Sequence, residues 1–328
     1  MEKNNLNIIA KFRVGSHLYG TNNINSDEDY AGIFLEPIDY LLSPFKSIEE
    51  VDFSIKDKLE NGKNSKEAID EKYYSFKKFI KLAYNCNPNI LEMLFINKEN
   101  LIQSSPIYEL ITSNKELFLS DTIFKKFFGY ATAQERKMYT TSENYLRLIK
   151  FYEIIKDKDK KLTLLDIEDE IKNNNFYIFK KKLENDRTDF YIKINESITF
   201  PLNITIKKVL DSVEEIINLQ SYRKDFILSK GYDFKFGSHV VRILEECFEL
   251  VTTKNLIFPL QDSELIKRIK EGEMDIENLK RIIHNQKQRL SHLENNHDLP
   301  KHFKNLKLIE NLSIDILYES IYNGRKKI

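Results

Sequence analysis

The segment that most restricts the fold runs from residue 8 to residue 35. Ile8 to Val14 alternates loosely between apolar and polar residues and stops at Gly15-Ser16, and a second extended run follows from Asp27 to Leu35. This pattern predicts two strands joined by a loop. A glycine at the end of an apolar strand lets backbone approach a ligand closely, and the Ser16 hydroxyl with the N–H groups after it can receive phosphate oxygens. Asp27 and Asp29 lie two apart in the second strand, so both carboxylates project from one face while Glu28 points to the other.

Two ionised carboxylates held side by side repel, and a hard divalent cation, Mg²⁺ or Mn²⁺, keeps both charged near neutral pH. A third carboxylate would make room for two ions, the second lowering the pKa of an attacking hydroxyl and stabilising the transition state. Asp70, just ahead of the extended Glu71 to Tyr74 segment, is favoured for that role, and Glu71 is the alternative. Gly-Ser turns and Asp-x-Asp pairs are each commonplace. Their order, their spacing and the strand patterns on both sides are what point to a phosphate and metal site.

The chain has 328 residues, 41% of them hydrophobic, which is enough for two packed units. Strand patterns end early: Val51 to Lys56 and Glu71 to Tyr74 complete a small sheet, with turn chemistry in the polar stretch 58–66 between them. Apolar residues then recur at helical spacing from Ser75 to Tyr84. Pro88 opens another helix through Phe95, and helical patterns fit Asp121 to Lys137, Asn144 to Lys156 and Leu164 to Asn173. Between Phe176 and Phe200 extended residues return, with a turn at 184–188, as a hairpin insertion over 175–200. Helix resumes over Ile206 to Leu219, His239 to Thr252, Asp262 to Lys270 and Ile276 to Leu293. The expected fold is α+β: a small mixed sheet over 1–100 and a mainly helical domain over 101–328; the resemblance described below implies a nucleotidyltransferase palm for the first and acceptor and nucleotide binding for the second.

Lys and Arg total 51 against 51 Asp and Glu, so no overall basic field draws the chain onto a polyanion, and any such partner is held locally. Cys86 and Cys247 form no metal-like pair and read as reduced and buried. With a polar N-terminus and no apolar run of transmembrane length, the expected location is cytoplasmic, with no membrane partner.

The Gly15-Ser16 pair followed about ten residues later by Asp27-x-Asp29 resembles the nucleotidyltransferase superfamily that shares its palm with DNA polymerase beta. More narrowly, 15–22 and 26–34 resemble the predicted nucleotidyltransferases associated with RNA ligases. Asp70 to Phe79, Asn87 to Phe95 and Gly231 to Leu244 resemble later blocks of that family, whereas 140–228 and the last fifty residues match poorly. The resemblance implies that Gly15 and Ser16 bind the triphosphate, Asp27 and Asp29 both metals, and Asp70 the acceptor-side metal. It implies transfer of a nucleoside monophosphate from an NTP or dNTP to a hydroxyl of a nucleic-acid end or a protein, with release of pyrophosphate. Relatives often sit in toxin–antitoxin or antiviral operons, so an operon partner protein is a further expectation. The rival class is a nucleotide-binding sensor or antitoxin-like module without chemistry. Oligomeric state is open.

Lys235, His239 and Arg242 fall at i, i+4 and i+7 and would place one helical face toward the nucleotide, unless Gly231 and Gly237 interrupt the helix. Arg13 pairs with Asp29 or contacts the nucleotide, and His17 reads as an exposed loop residue. The tail hydroxyls of Tyr318, Ser320 and Tyr322 are candidate acceptors for self-labelling or self-priming, against the plainer reading of a closing amphipathic helix. Aromatics interleaved with Lys at 124–128 and 176–182 read as core packing before base stacking.

Overall fold

The computed structural model describes residues 6–24, 26–57, 67–182, 188–219 and 230–325. The turns expected at 58–66 and 184–187 lie outside the described residues. Strands β1 (Asn7–Arg13), β2 (Glu28–Leu35), β3 (Glu50–Asp52), β4 (Ile69–Ser75) and β5 (Leu101–Gln103) form one mixed sheet in the order β3-β4-β2-β1-β5. Only β2 and β4 run parallel. Central position explains the sequence of β2, whose last five residues, Ala31 to Leu35, are all buried. In β1 the register slips between Ile8 and Ala10, so Ile9 and Ala10 are both buried despite being adjacent. Gly32 lies beside Tyr73 in the parallel pair, where a Cβ would fall 2.3 Å from the tyrosine ring. Only glycine fits there.

Ser75 ends β4 and caps the next helix, Phe76–Tyr84, by accepting from the Lys78 N–H. Asn87 caps the turn Pro88–Leu91 in the same way. The helix expected to continue to Phe95 instead tightens to a 3₁₀ turn over Glu92–Leu94. The two helices expected between residues 121 and 156 are one, Thr122–Ile155, of 34 residues. Buried Met138 and Ser142 carry the packed face across the junction, and the Ser142 hydroxyl donates to the Met138 carbonyl. Packing there overrides the weak helix propensity of Thr140 and Thr141.

The chain divides into two compact units, one of Met1–Asp57, Asn64–Glu135 and Lys235–Ile328, the other mainly Arg136–Phe234. The first holds the five-stranded sheet with the helices Phe234–Thr253, Ser263–Lys270, Ile276–Glu294 and Leu306–Arg325. Gly237 lies inside Phe234–Thr253 without interrupting it. The second unit has its own core, including Phe151, Ile155, Phe176, Ile192, Val209 and Val213. Its strands β6 (Tyr177–Lys182), β7 (Thr188–Lys193) and β8 (Thr199–Pro201) form an antiparallel sheet. The expected hairpin thus gains a third strand, because Asn195 Oδ1 accepts from the Ser197 and Ile198 N–H groups and turns the chain back.

The architecture is α+β. Cys86 and Cys247 are buried free thiols. Among the described residues no helix is long and apolar enough to cross a membrane. Phe124 and Phe127 are core residues as expected, but Tyr177 is 66% exposed and Phe179 only partly covered. Of the aromatics in that second segment, Phe176 is the one buried in the core.

Candidate active site

The Val14 N–H donates to the Asp29 carbonyl at 2.8 Å, extending the β1–β2 ladder by one residue. Gly15 then turns the chain at φ +65°, and a five-residue helix, Gly15–Tyr19, follows at once. No side chain caps this helix, so its first-turn N–H groups are presented at the end of β1. A Cβ on Gly15 would stand 2.0 Å from Asp29 Oδ2. The carboxyl therefore rests on the glycine backbone, and the glycine is needed both for its φ and for this contact.

Asp29 is paired with Asp70 in the parallel register of β2 and β4, which puts their side chains on one face. Burial first, then the charges of Asp27 and Asp70, push the Asp29 carboxyl up to about 7, while Lys235 and Lys270 pull it down. Two aspartates and two lysines thus act on Asp29, which lies against Gly15. Asp70 Oδ1 accepts from the Ser54 hydroxyl at 2.8 Å, and Ser54 in turn accepts from the Glu71 N–H. Glu71 turns the other way: it is buried, with Lys11 Nζ at 2.9 Å and the Tyr73 hydroxyl donating at 2.7 Å. Of the two acids weighed for the third position, Asp70 is the one beside Asp29.

Glu28, on the opposite face of β2, takes a two-pronged ion pair from Arg13, with Nε to Oε2 at 2.8 Å. Arg13 therefore pairs with Glu28, not Asp29. His17 sits on the short helix, half-buried, its Nε2 3.7 Å from Glu28, so the exposed-loop reading does not hold. Ser16 is buried at the helix start.

Lys235 opens the helix Phe234–Thr253 and reaches Asp29 electrostatically; one turn on, His239 stands edge-to-face with Phe236. Arg242 is directed elsewhere. It is buried, bonded to Glu92 at 3.2 Å and Glu246 at 2.9 Å, with its guanidinium 4.2 Å from the Tyr19 ring centre. The Tyr19 hydroxyl donates to the Glu92 carboxylate at 3.0 Å. Arg242 thus binds the short helix to the Glu92 turn. Sequence reasoning missed Lys270, Ser54 and this cluster; only Glu246, at i+4 from Arg242, left a local signal. Tyr318 and Tyr322 are exposed and stacked on the helix Leu306–Arg325, and the Ser320 hydroxyl donates to the Ile316 carbonyl.

A divalent cation fits this chemistry. Asp29 is buried among like charges, and an added cation would relieve the repulsion that raises it. Among the described residues no three ligating side chains are already drawn together as a metal cage.

Residues 1–156 match the RNA repair pathway DNA polymerase beta family. The match supports a polymerase beta superfamily nucleotidyltransferase. It takes in the Gly15 turn and all three aspartates. Similarity extends further: the chain is 26% identical over 285 residues to an uncharacterized 38.9 kDa protein of the nrdC-mobD intergenic region of Enterobacteria phage T4, covering 81% of this chain and 83% of that one. No solved structure matches.

The elevated Asp29 carboxyl carries a stability consequence. Between its ordinary value of 3.8 and about 7, the folded module holds a proton that the unfolded chain releases, so stability falls as pH rises through that window. Asp29→Asn removes this penalty. In EDTA the variant should be more stable than the parent by about 2 to 4 kcal/mol at pH 8 and nearly equal to it at pH 4, measured by urea unfolding.

Proposed function

We propose that the module transfers a nucleoside monophosphate from a ribo- or deoxyribonucleoside triphosphate to a hydroxyl and releases pyrophosphate. The observation that carries this reading is the Asp29 carboxyl seated on the Gly15 turn with Asp27 and Asp70 as its charged neighbours. Asp27 and Asp29 would hold Mg²⁺ or Mn²⁺, and Asp70 a second ion on the acceptor side. When bound, the ions supply charge neutralisation on the triphosphate and a lowered acceptor pKa.

The chain's own groups do the rest. Ser16 and the first-turn N–H groups of Gly15–Tyr19 receive phosphate oxygens. Asp70, oriented by Ser54, accepts the acceptor's proton as its oxygen forms a bond to the α-phosphorus and the bond to the β-phosphate oxygen breaks. Lys235 and Lys270, already coupled to Asp29, balance the charge of the departing pyrophosphate, and His239 is the next group along that helix. The acceptor is a nucleic-acid end or a protein hydroxyl, with Tyr318 and Tyr322 the exposed hydroxyls of the tail.

Incubation with each α-labelled ribo- and deoxyribonucleoside triphosphate, Mg²⁺ or Mn²⁺, and single-stranded RNA or DNA tests donor and acceptor together. Label should pass to nucleic acid or to the protein as pyrophosphate appears. Nucleotide binding with no pyrophosphate from any donor would establish the sensor or antitoxin-like alternative instead.

A further inference from the structure

The Gly15 turn is tied to a buried cluster whose charges do not balance. Arg242, Glu92 and Glu246 are 5%, 3% and 0% exposed, and one guanidinium nitrogen, Arg242 Nη1, lies 3.2 Å from Glu92 Oε2 and 2.9 Å from Glu246 Oε1. Among the described residues no second cation pairs with either acid. Two carboxylates against one guanidinium leave a negative charge in excess, which is costly away from water and which a single proton removes.

The neighbouring groups do not supply the missing charge. From the short helix, Tyr19 donates its hydroxyl to Glu92, and burial pushes that hydroxyl well above its ordinary range. Tyr74 of β4 also faces Glu92, and on the helix Phe234–Thr253 both Glu249 and Cys247 face Glu246. None of these is a cation.

Hydrogen bonding distinguishes the two acids. Glu92 accepts from both Arg242 and the Tyr19 hydroxyl, whereas Glu246 accepts only from Arg242, and its Oε2 is buried without a partner, as is Arg242 Nε. A buried oxygen with no donor costs less when neutral than when ionised, so Glu246 is the first seat of the proton. Burial raises both carboxyls, Glu92 to about 8, and the two titrate as a pair.

We propose that Glu92, Arg242 and Glu246 form a one-proton switch behind the Gly15 turn: with one carboxyl protonated the cluster is neutral and holds the helix Gly15–Tyr19, and loss of that proton to water lets the helix go. The short elements are the ones that yield. Glu246 sits within a 20-residue helix, whereas Glu92 is on a three-residue 3₁₀ turn and Tyr19 on a five-residue helix. Repulsion between the two carboxylates therefore moves Glu92 and the tyrosine bonded to it. That the switch would govern nucleotide binding rests on the transfer reading; the switch itself does not.

Once released, a carboxyl returns to its ordinary value of 4.5, so the held state loses ground as pH rises from there toward the raised folded values. The test is amide hydrogen exchange of the full chain from pH 6 to 8, in EDTA and without nucleotide. The Gly20 and Thr21 N–H groups, which donate to the Ser16 carbonyl, report whether the short helix is held. Their protection factors in the parent should fall by about 10-fold per pH unit relative to those in Glu246→Gln, where Arg242 and Glu92 balance without a proton. Asp29 titrates alike in both chains and cancels from the ratio. Glu92→Gln should remove the pH dependence in the same way, and it carries the test if Glu246→Gln does not fold. A ratio of parent to either folded variant that stays constant with pH would overturn the proposal. Omitting metal and nucleotide separates this result from the transfer reading: a chain with pH-linked exchange that releases no pyrophosphate keeps the switch and loses the transfer.

Discussion

Asp29→Ala and Asp27→Ala should each lower pyrophosphate release by about 1,000-fold or more, equivalent to roughly 4 kcal/mol of transition-state stabilisation. The size follows from the role proposed for these groups: each substitution would remove a metal ligand, and the remaining acids would hold a divalent cation weakly. Glu28→Gln is the matched control, since Glu28 lies between the two aspartates in sequence yet faces the other way, toward Arg13. Its loss should reduce activity by no more than about 10-fold, through the Arg13 pair. Asp29 gives the sharper contrast because its loss of activity comes with a gain in stability at pH 8, whereas a scaffold residue would lose both. Parallel measurement of pyrophosphate release and urea unfolding on one set of variants checks this. Activity retained in Asp29→Ala would remove the transfer reading.

The residues that could be read from sequence are those whose meaning is local. Strand alternation separates Glu28 from Asp29, whereas Asp27, expected to open that strand, falls just ahead of β2 (Glu28–Leu35); the Gly15 turn is legible because apolar alternation stops there. Lys270 has no such mark. It reaches Asp29 from a helix more than two hundred residues away, and nothing in Ser263–Lys270 distinguishes it from the basic residues beside it. The Met138 to Ser142 junction was opaque for another reason: propensity argues for a break, and burial of two side chains outweighs it. Segment 176–182 shows the limit of composition, since Phe176 and Tyr177 are neighbours with opposite fates, decided by where β6 begins.

Arg242 is the plainest case of a residue whose role depends on distant partners, and its removal should have the largest effect on stability. Arg242→Met leaves Glu92 and Glu246 buried without their shared cation, which should destabilise the chain by about 3 to 5 kcal/mol. Burial and mutual repulsion already raise Glu92, to about 8, and burial raises Glu246. Without the guanidinium, both carboxyls remain protonated over a wider range. Loss of stability should therefore be small near pH 5 and grow as pH rises through 8, when both carboxylates must ionise. Urea unfolding at the two pH values measures it, and Glu246→Gln added to Arg242→Met should recover part of the loss by removing one buried charge. The same variant bears on the active site through Tyr19. A five-residue helix cannot hold its own direction in water, and Gly15–Tyr19 is tied down by the Tyr19 hydroxyl on Glu92 and the Tyr19 ring under Arg242. Arg242 thus supports the Gly15 turn from behind. In Arg242→Met the KM for nucleotide should rise more than kcat falls, because the turn proposed to receive the phosphates loosens while the three aspartates stay in place.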